Sequence, residues 1–202
     1  PRFIDNKTIE LNGKKISAKR FIICTGSHPL VPSIEGLQSI GYLTNETIFD
    51  LKFLPKSLAV LGAGPIGIEM AQAFARLGVE VYVIELIERI LFREDGEIAA
   101  VLADNLLKEG VKLHTGQKAI KFSQENDSVA ITLEDKNKKS SVIKAEKILV
   151  AIGRAPNVEG LDLEKAGIKY NKKGHSMQEI EKMLNEKSGL LGISGKDYHL
   201  GR

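Results

Sequence analysis

Three glycines and one acid are the residues best placed to do chemistry in this sequence. Gly62-Ala63-Gly64-Pro65-Ile66-Gly67 has the spacing G-x-G-x-x-G, and Glu85 follows the glycines at the distance, about twenty residues, of a ribose-binding acid. The motif alone is weak, because glycine is common. Its context strengthens it: the apolar run Leu58-Ala59-Val60-Leu61 leads straight into the turn, and a helical pattern leads out. Gly62 then permits a tight turn, Gly64 lets backbone approach a pyrophosphate, and Gly67 lets helix and strand pack closely. Pro65 falls in the first helical turn, where its missing N–H costs little. Helix N–H groups and the macrodipole would face the phosphates. A carboxylate at Glu85, ending the next strand, can accept hydrogen bonds from an adenosine ribose and would repel a 2′-phosphate. NAD(H) is therefore expected over NADP(H). The alternative is a structural glycine turn beside a surface glutamate.

The elements that must position these residues follow from periodicity. Ile66, Met70, Ala73, Phe74 and Leu77 recur at helical spacing, and Gly78 closes that helix. Glu80–Glu85 reads as the next strand, and Ile98, Val101, Leu102 and Leu106 mark one face of a second helix that stops at Gly110. Val111-Lys112-Leu113-His114 is a third strand. The order β-α-β-α-β predicts a parallel sheet with right-handed crossovers, a Rossmann unit. Beyond it, 118–122, 129–133 and 141–144 alternate with polar turns as an antiparallel meander. Lys147–Ile152 reads as a buried strand ending at Gly153-Arg154. The basic run Lys136-Asn137-Lys138-Lys139 falls between two meander strands and reads as a solvated hairpin turn.

Upstream, Thr8–Leu11 and Lys14–Ile16 flank Asn12-Gly13, a strong hairpin signal. Arg20-Phe21-Ile22-Ile23-Cys24 suits a buried strand that stops at Thr25-Gly26-Ser27. Pro29, Pro32 and Gly36 mark a linker. Downstream, Met177, Ile180, Met183 and Leu184 suggest a short amphipathic helix before a Gly/Ser-rich end.

Composition excludes several function classes. With 202 residues, 43% hydrophobic and 27% charged, the chain is globular and large enough for a sizeable core. A net charge of +3 with scattered basic residues does not point to nucleic acid. No apolar run approaches the roughly eighteen residues of a membrane span. The start lacks the pattern of a secretory signal, and because Pro1 is not an initiator methionine an upstream start is expected. The single cysteine, Cys24, excludes an internal disulfide, and its apolar neighbours predict a buried, inert thiol. A cytoplasmic location is expected. His28, His114, His175 and His199 lack metal-ligand spacing, so no metal site is expected.

Several segments together resemble the flavoprotein pyridine nucleotide–disulfide oxidoreductases, in particular the mercuric reductase and dihydrolipoamide dehydrogenase branch. Cys24-Thr25-Gly26-Ser27 is similar to that family's A-T-G-S, with Cys in place of Ala. Leu61–Glu69, L-G-A-G-P-I-G-I-E, is similar to its NAD-domain fingerprint. Ala151–Asn157, A-I-G-R-A-P-N, is similar to the crossover returning to the flavin domain. The likeness runs in unbroken order from about Phe3 to Gly174. It implies that Gly62, Ala63, Gly64, Pro65, Ile66, Gly67 and Glu85 contact NAD, and that Glu69 lies near the flavin–nicotinamide junction. It also implies that Ala119 lines the adenine pocket, that Gly153 approaches the nicotinamide, and that Thr25, Gly26 and Ser27 meet the edge of FAD. The reaction implied is hydride transfer from NAD(P)H to FAD, then electron transfer to a disulfide or metal ion.

The departures are equally specific. No first G-x-G-x-x-G precedes Phe3, the redox C-x-x-x-x-C pair is absent, and no G-D flavin motif or dimerisation segment follows Gly174. Isolation without FAD and without the family's homodimer interface is therefore expected, and no residue is assigned as catalytic. Met183–Gly195 resembles instead an internal segment of acetate kinase, read as a chimeric junction. Ser194-Gly195-Lys196-Asp197 does not make a P-loop. The expected organisation is a remnant of an FAD-binding domain over 1–50, a nucleotide-binding Rossmann domain over 51–154, a return segment over 155–174 and an unrelated tail over 175–202. The fold class is α/β: a Rossmann-type parallel sheet with helices, an antiparallel meander and remnants of a split flavin-binding domain. The leading function is the NAD(H)-binding portion of a flavoprotein oxidoreductase, and the alternative is a catalytically silent NAD-binding module. A phosphotransferase or interaction piece would rest on the tail alone.

Overall fold

The computed structural model describes residues 1–168. The expected helix of residues 177–184 and the acetate-kinase-like segment lie outside the described residues. In chain order, three short strands come first, β1 (Arg2–Asp5), β2 (Thr8–Leu11) and β3 (Lys14–Ser17), then β4 (Ser27–Pro29) and one turn of helix, α1 (Leu37–Ile40). The alternating core follows as β5 (Ser57–Leu61), α2 (Pro65–Arg76), β6 (Glu80–Glu85), α3 (Gly96–Lys108) and β7 (Lys112–Thr115). The chain continues through β8 (Gln117–Glu125), β9 (Ser128–Asp135), β10 (Ser140–Ala145), β11 (Lys147–Val150) and β12 (Arg154–Pro156). It divides into two compact units, Pro29–Arg154 and Pro1–His28 with the chain from Ala155.

The larger unit is built on a four-stranded sheet in the order β11-β5-β6-β7, with every pair parallel. Strands buried on both faces must be apolar throughout, and their alternate side chains then serve two different cores. Leu58 and Val60 face the first core with Val81, Val83 and Leu149, where they meet Ile68, Ala71 and Phe74 of α2 and Leu106 of α3. Ala59 and Leu61 face the second with Ile84, Ile148 and Val150, packed on Phe122, Val129, Ile131 and Leu133. Those last residues come from the antiparallel meander β8-β9-β10. Helices therefore cover one face of the parallel sheet and the meander covers the other. The Asp95 side chain caps α3 by accepting from the amides of Glu97 (2.9 Å) and Ile98 (3.3 Å).

The smaller unit contains the expected hairpin. Asn12 (φ +50°) and Gly13 (φ +76°) make the left-handed pair that a two-residue connection between β2 and β3 requires. Phe3, Leu161 and Leu163 form its core, with Phe21 set edge-on to Phe3 at a centroid distance of 5.3 Å.

Four expectations are corrected. Arg20–Cys24 is not a buried strand: no strand forms there, Ile22 is 86% exposed and Cys24 is exposed. A run of this composition becomes a strand only where a neighbouring strand accepts from its N–H groups and donates to its C=O groups, and none of the described residues does so. Residues 29–43 are not a simple linker, because Leu37 is fully buried and Val31, Ile34, Ile40 and Tyr42 pack on the second core. The inward face of α2 is Gly67, Ile68, Ala71 and Phe74, whereas Leu77 is 60% exposed. That of α3 centres on Ala99 and Leu106, with Ile98 and Val101 turned outward. Apolar residues occupy more than half of the circumference of each helix, so periodicity alone leaves the exact inward face open. Among the described residues no helix is long and apolar enough to cross a membrane.

Two expected outcomes follow from this packing. Leu106→Ala should cost about 2–5 kcal/mol in chemical denaturation, against less than about 0.5 kcal/mol for Ile98→Ala. Equal losses would put the wrong face of α3 in the core. The second concerns His114 on β7, beside the Tyr82 ring at 6.1 Å. Burial pushes its imidazole below the ordinary 6.5, the nearby Gln117 side chain opposes this in part, and the charge of Lys112 adds to it. A lowered folded value means that the unfolded chain takes up the proton first, so stability falls as pH drops below about 6.5. His114→Gln should flatten that part of the curve of urea midpoint against pH, and an unchanged slope would assign the acid sensitivity elsewhere.

Candidate functional site

At the carboxyl end of β5 the three glycines answer to different constraints. Gly62 has φ +99°, and a Cβ there would lie 2.6 Å from the Ala151 carbonyl oxygen. A Cβ on Gly67 would lie 2.1 Å from the Gly62 carbonyl oxygen. Backbone crowding thus accounts for the first and third glycines. Gly64 is different: its φ of −74° suits any residue, and a Cβ would meet no atom within 4 Å. The fold does not require glycine at 64, which faces open space.

The turn feeds directly into α2, whose N-cap is Gly64 and whose first residue is Pro65. Gly64 offers no capping side chain, and the first-turn amides of a helix have no carbonyl partners within it. These donors, with the positive end of the macrodipole, make the turn a place where an anion is stabilised.

Glu85 is bound into the same turn. One carboxylate oxygen accepts from the Ala63 amide at 2.8 Å, and the other accepts from the Ile87 amide at 3.0 Å. The Gly62 amide donates to the Ile84 carbonyl at 2.8 Å, and the Leu91 amide donates to the Ala63 carbonyl at 2.9 Å. The sequence marked Glu85 as a ribose acceptor, but nothing in the spacing indicated that it also holds the glycine turn to the end of β6. A carboxylate has about four acceptor positions, so roughly two remain for a ligand.

The strand order sets the crevice. From β5 the chain proceeds to β6 and β7 on one side, while β11 lies on the other. Ligands of open α/β sheets sit at such a switch point, outside the carboxyl ends of the strands. Here the glycine turn follows β5, and Ala151–Gly153 follows β11, with the Ala151 amide donating to the Leu61 carbonyl at 2.8 Å. Gly153, at φ +142°, also has open space about its Cβ position. Glu69 is exposed on α2, and Ala119 is buried on β8. Gly62–Gly67, Glu69, Glu85, Ala119 and Gly153 all belong to the larger unit.

Thr25, Gly26 and Ser27 belong to the smaller one. There Asn157 joins two segments far apart in sequence. Its carbonyl accepts from the Thr25 hydroxyl, its side-chain amide donates to the Thr25 carbonyl at 2.9 Å, and its backbone amide donates to the Gly26 carbonyl at 3.0 Å. His28 Nδ1 shares a hydrogen bond with its Oδ1 at 2.6 Å. Asn157 was visible only as the last residue of A-I-G-R-A-P-N, with no spacing signal linking it to Thr25.

The family model for pyridine nucleotide-disulphide oxidoreductases matches residues 1–181. The chain belongs to that family. A mercuric reductase of Staphylococcus aureus is 43% identical over 172 residues, covering 85% of this chain and 31% of that protein. A dihydrolipoyl dehydrogenase of Thermus scotoductus is 40% identical over 200 residues, covering 95% of this chain and 42% of its own length. Among solved structures, an HOCl-induced flavoprotein disulfide reductase, RclA, from Escherichia coli has a TM-score of 0.72 at 30% identity. That match covers 87% of this chain and 40% of the other. The chain thus spans 31–42% of the length of these proteins.

Distinct reasons for each glycine give distinct outcomes. Gly67→Ala should lose about 1–3 kcal/mol, because helix and turn must part to admit the methyl group. Gly64→Ala should stay within about 0.5 kcal/mol. Chemical denaturation checks both, and a large loss at 64 would mean that the fold itself, rather than an approaching group, demands glycine there.

Proposed function

We propose that this chain is the NAD(H)-binding portion of a flavoprotein oxidoreductase, within a family reaction that moves hydride from NAD(P)H to FAD and electrons on to a disulfide or metal ion. The observation that carries the reading is the openness at Gly64 between two glycines whose Cβ positions are blocked. A glycine that the fold does not need, at the mouth of a helix N-terminus, leaves room for a pyrophosphate to touch backbone. Glu85 supports the assignment of the adenosine side, since its remaining acceptor positions suit ribose hydroxyls and its charge opposes a 2′-phosphate. Gly153, open and beyond the carboxyl end of β11, suits the nicotinamide side, with Glu69 near it by family resemblance. Ala119 takes the adenine wall on the same ground.

FAD would supply the ring that accepts the hydride. The residues that the resemblance puts at its edge are already engaged: the Thr25 hydroxyl and the Thr25 and Gly26 carbonyls are all bonded to Asn157. They fit as a polar surface against which the edge of a flavin could rest, and no step through flavin is derived for this chain. A second reading is a catalytically silent NAD-binding module, in which the chain binds nucleotide without turnover. NADH oxidation with added FAD and a disulfide acceptor separates the two, since the silent module gives only background.

The binding claim is tested by nucleotide fluorescence titration. Gly64→Val should weaken NADH and NADPH alike by about tenfold or more, because it intrudes on the pyrophosphate they share. Glu85→Ala should weaken NADH by roughly ten- to hundredfold through a lost charge-assisted bond, and NADPH by much less. Because Glu85→Ala also strips acceptors from Ala63 and Ile87, the NADH-to-NADPH ratio is the decisive readout. Equal weakening of both would remove the selector role, and indifference to both variants would put the nucleotide elsewhere.

A further inference from the structure

The loop after β6 concentrates charge just beyond Glu85. It carries Glu88, Arg89, Arg93 and Glu94, and it is fixed near the start of β8 by a hydrogen bond from the Gly116 amide to the Ile87 carbonyl at 3.0 Å. Both arginines of the loop have partners within it. Arg89 donates to the carbonyls of Phe92 (2.6 Å) and Glu94 (3.1 Å), and the Arg93 guanidinium lies 5.2 Å from the centroid of the Phe92 ring. The third cation comes from the β9–β10 hairpin tip. Asp135 shapes that tip by accepting from the amides of Asn137 (2.8 Å) and Lys139 (2.9 Å), and Lys136 reaches back to Glu88 at 2.7 Å.

The Glu88–Lys136 pair does little for the fold. Its side chains are 74% and 75% exposed, and pairs so solvated contribute little to stability. Its position is the informative feature: Glu88 lies three residues beyond Glu85 and neutralises a lysine brought to this loop by the β9–β10 tip. We infer that Glu88 is a second nucleotide-selecting residue, which holds Lys136 in an ion pair and so withholds its charge from a ribose 2′-phosphate. The inference rests on the NAD(H) reading above. Glu85 then selects by direct contact and Glu88 by occupying the lysine that reaches its loop.

The test compares the chain with Glu88→Gln, Lys136→Gln and the double variant, each titrated with NADH and NADPH at low and raised salt. Circular dichroism confirms the fold of each. Glu88→Gln should tighten NADPH by roughly three- to tenfold and leave NADH within about twofold. The gain should shrink as salt rises, because exposed charges are screened. Lys136→Gln should not tighten NADPH, and the double variant should lose most of the gain, since Lys136 is its source. Glu88→Gln shifting both nucleotides equally, or neither, overturns the inference while leaving nucleotide binding intact. A gain that survives in the double variant also overturns it, because the charge of Glu88 alone would then be responsible. Failure of the unsubstituted chain to bind either nucleotide defeats the underlying site assignment and this inference together.

Discussion

The Glu85 carboxylate joins the two segments on which the larger unit's site depends. Its bond to the Ala63 amide ties the end of β6 to the turn after β5, and its bond to the Ile87 amide starts the loop that leads toward α3. Hydrogen bonds from a backbone amide to a carboxylate are worth about 1.5–3 kcal/mol each when partly shielded from water. Around this link the constraints reinforce one another. Gly62 is pressed against the backbone at Ala151, and Gly67 against Gly62. The strand ends β5, β6 and β11 and the start of α2 therefore form one backbone-level assembly with little freedom to shift. An anion-binding turn needs that rigidity, since donors already in place require no reorganisation when charge arrives.

The assembly stands on a sheet that is apolar on both faces. Alternate residues of β5 serve different cores, Leu58 and Val60 toward the helices and Ala59 and Leu61 toward the meander. Slipping the strand by one residue would exchange these sets, so burial on both sides fixes the register as well as the stability. The meander also contributes the hairpin tip bearing Lys136, which makes it part of the charge pattern around Glu88 as well as a cover for the sheet.

Most of this was legible in the sequence, and the reasons differ by element. Short apolar runs bounded by turns identified β5, β6 and β11, and Asn12-Gly13 marked a hairpin, because those signals are local. Which side of α2 and α3 turns inward was not legible. Ile66, Ile68, Met70, Ala71, Phe74 and the C-cap Leu77 spread over more than half of the circumference of α2, and tertiary packing chose among them. Arg20–Cys24 shows the opposite failure: its composition suits a strand, yet no described neighbour pairs with it. The glycine turn and Glu85 could be read from spacing, whereas the bonds of Asn157 to Thr25 and of Lys136 to Glu88 could not. They span 132 and 48 residues, and no periodic pattern encodes either.

The double duty of Glu85 constrains how selectivity can vary in this chain. Under the proposed reading, its two oxygens hold two amides from separate segments and also face the ribose. Aspartate is shorter by one methylene and could not span both amides without moving the turn. Glutamine would set an amide group against one of the backbone donors. Changing the selector at 85 therefore loosens the turn that receives the pyrophosphate, and scaffold and preference move together. Glu88 and Lys136 carry no such load, because they are exposed and pair only at the surface. The position nearest the ligand is thus the one least able to change, and adjustment of the preference falls to charges one loop away, where a substitution alters the local field without altering the backbone.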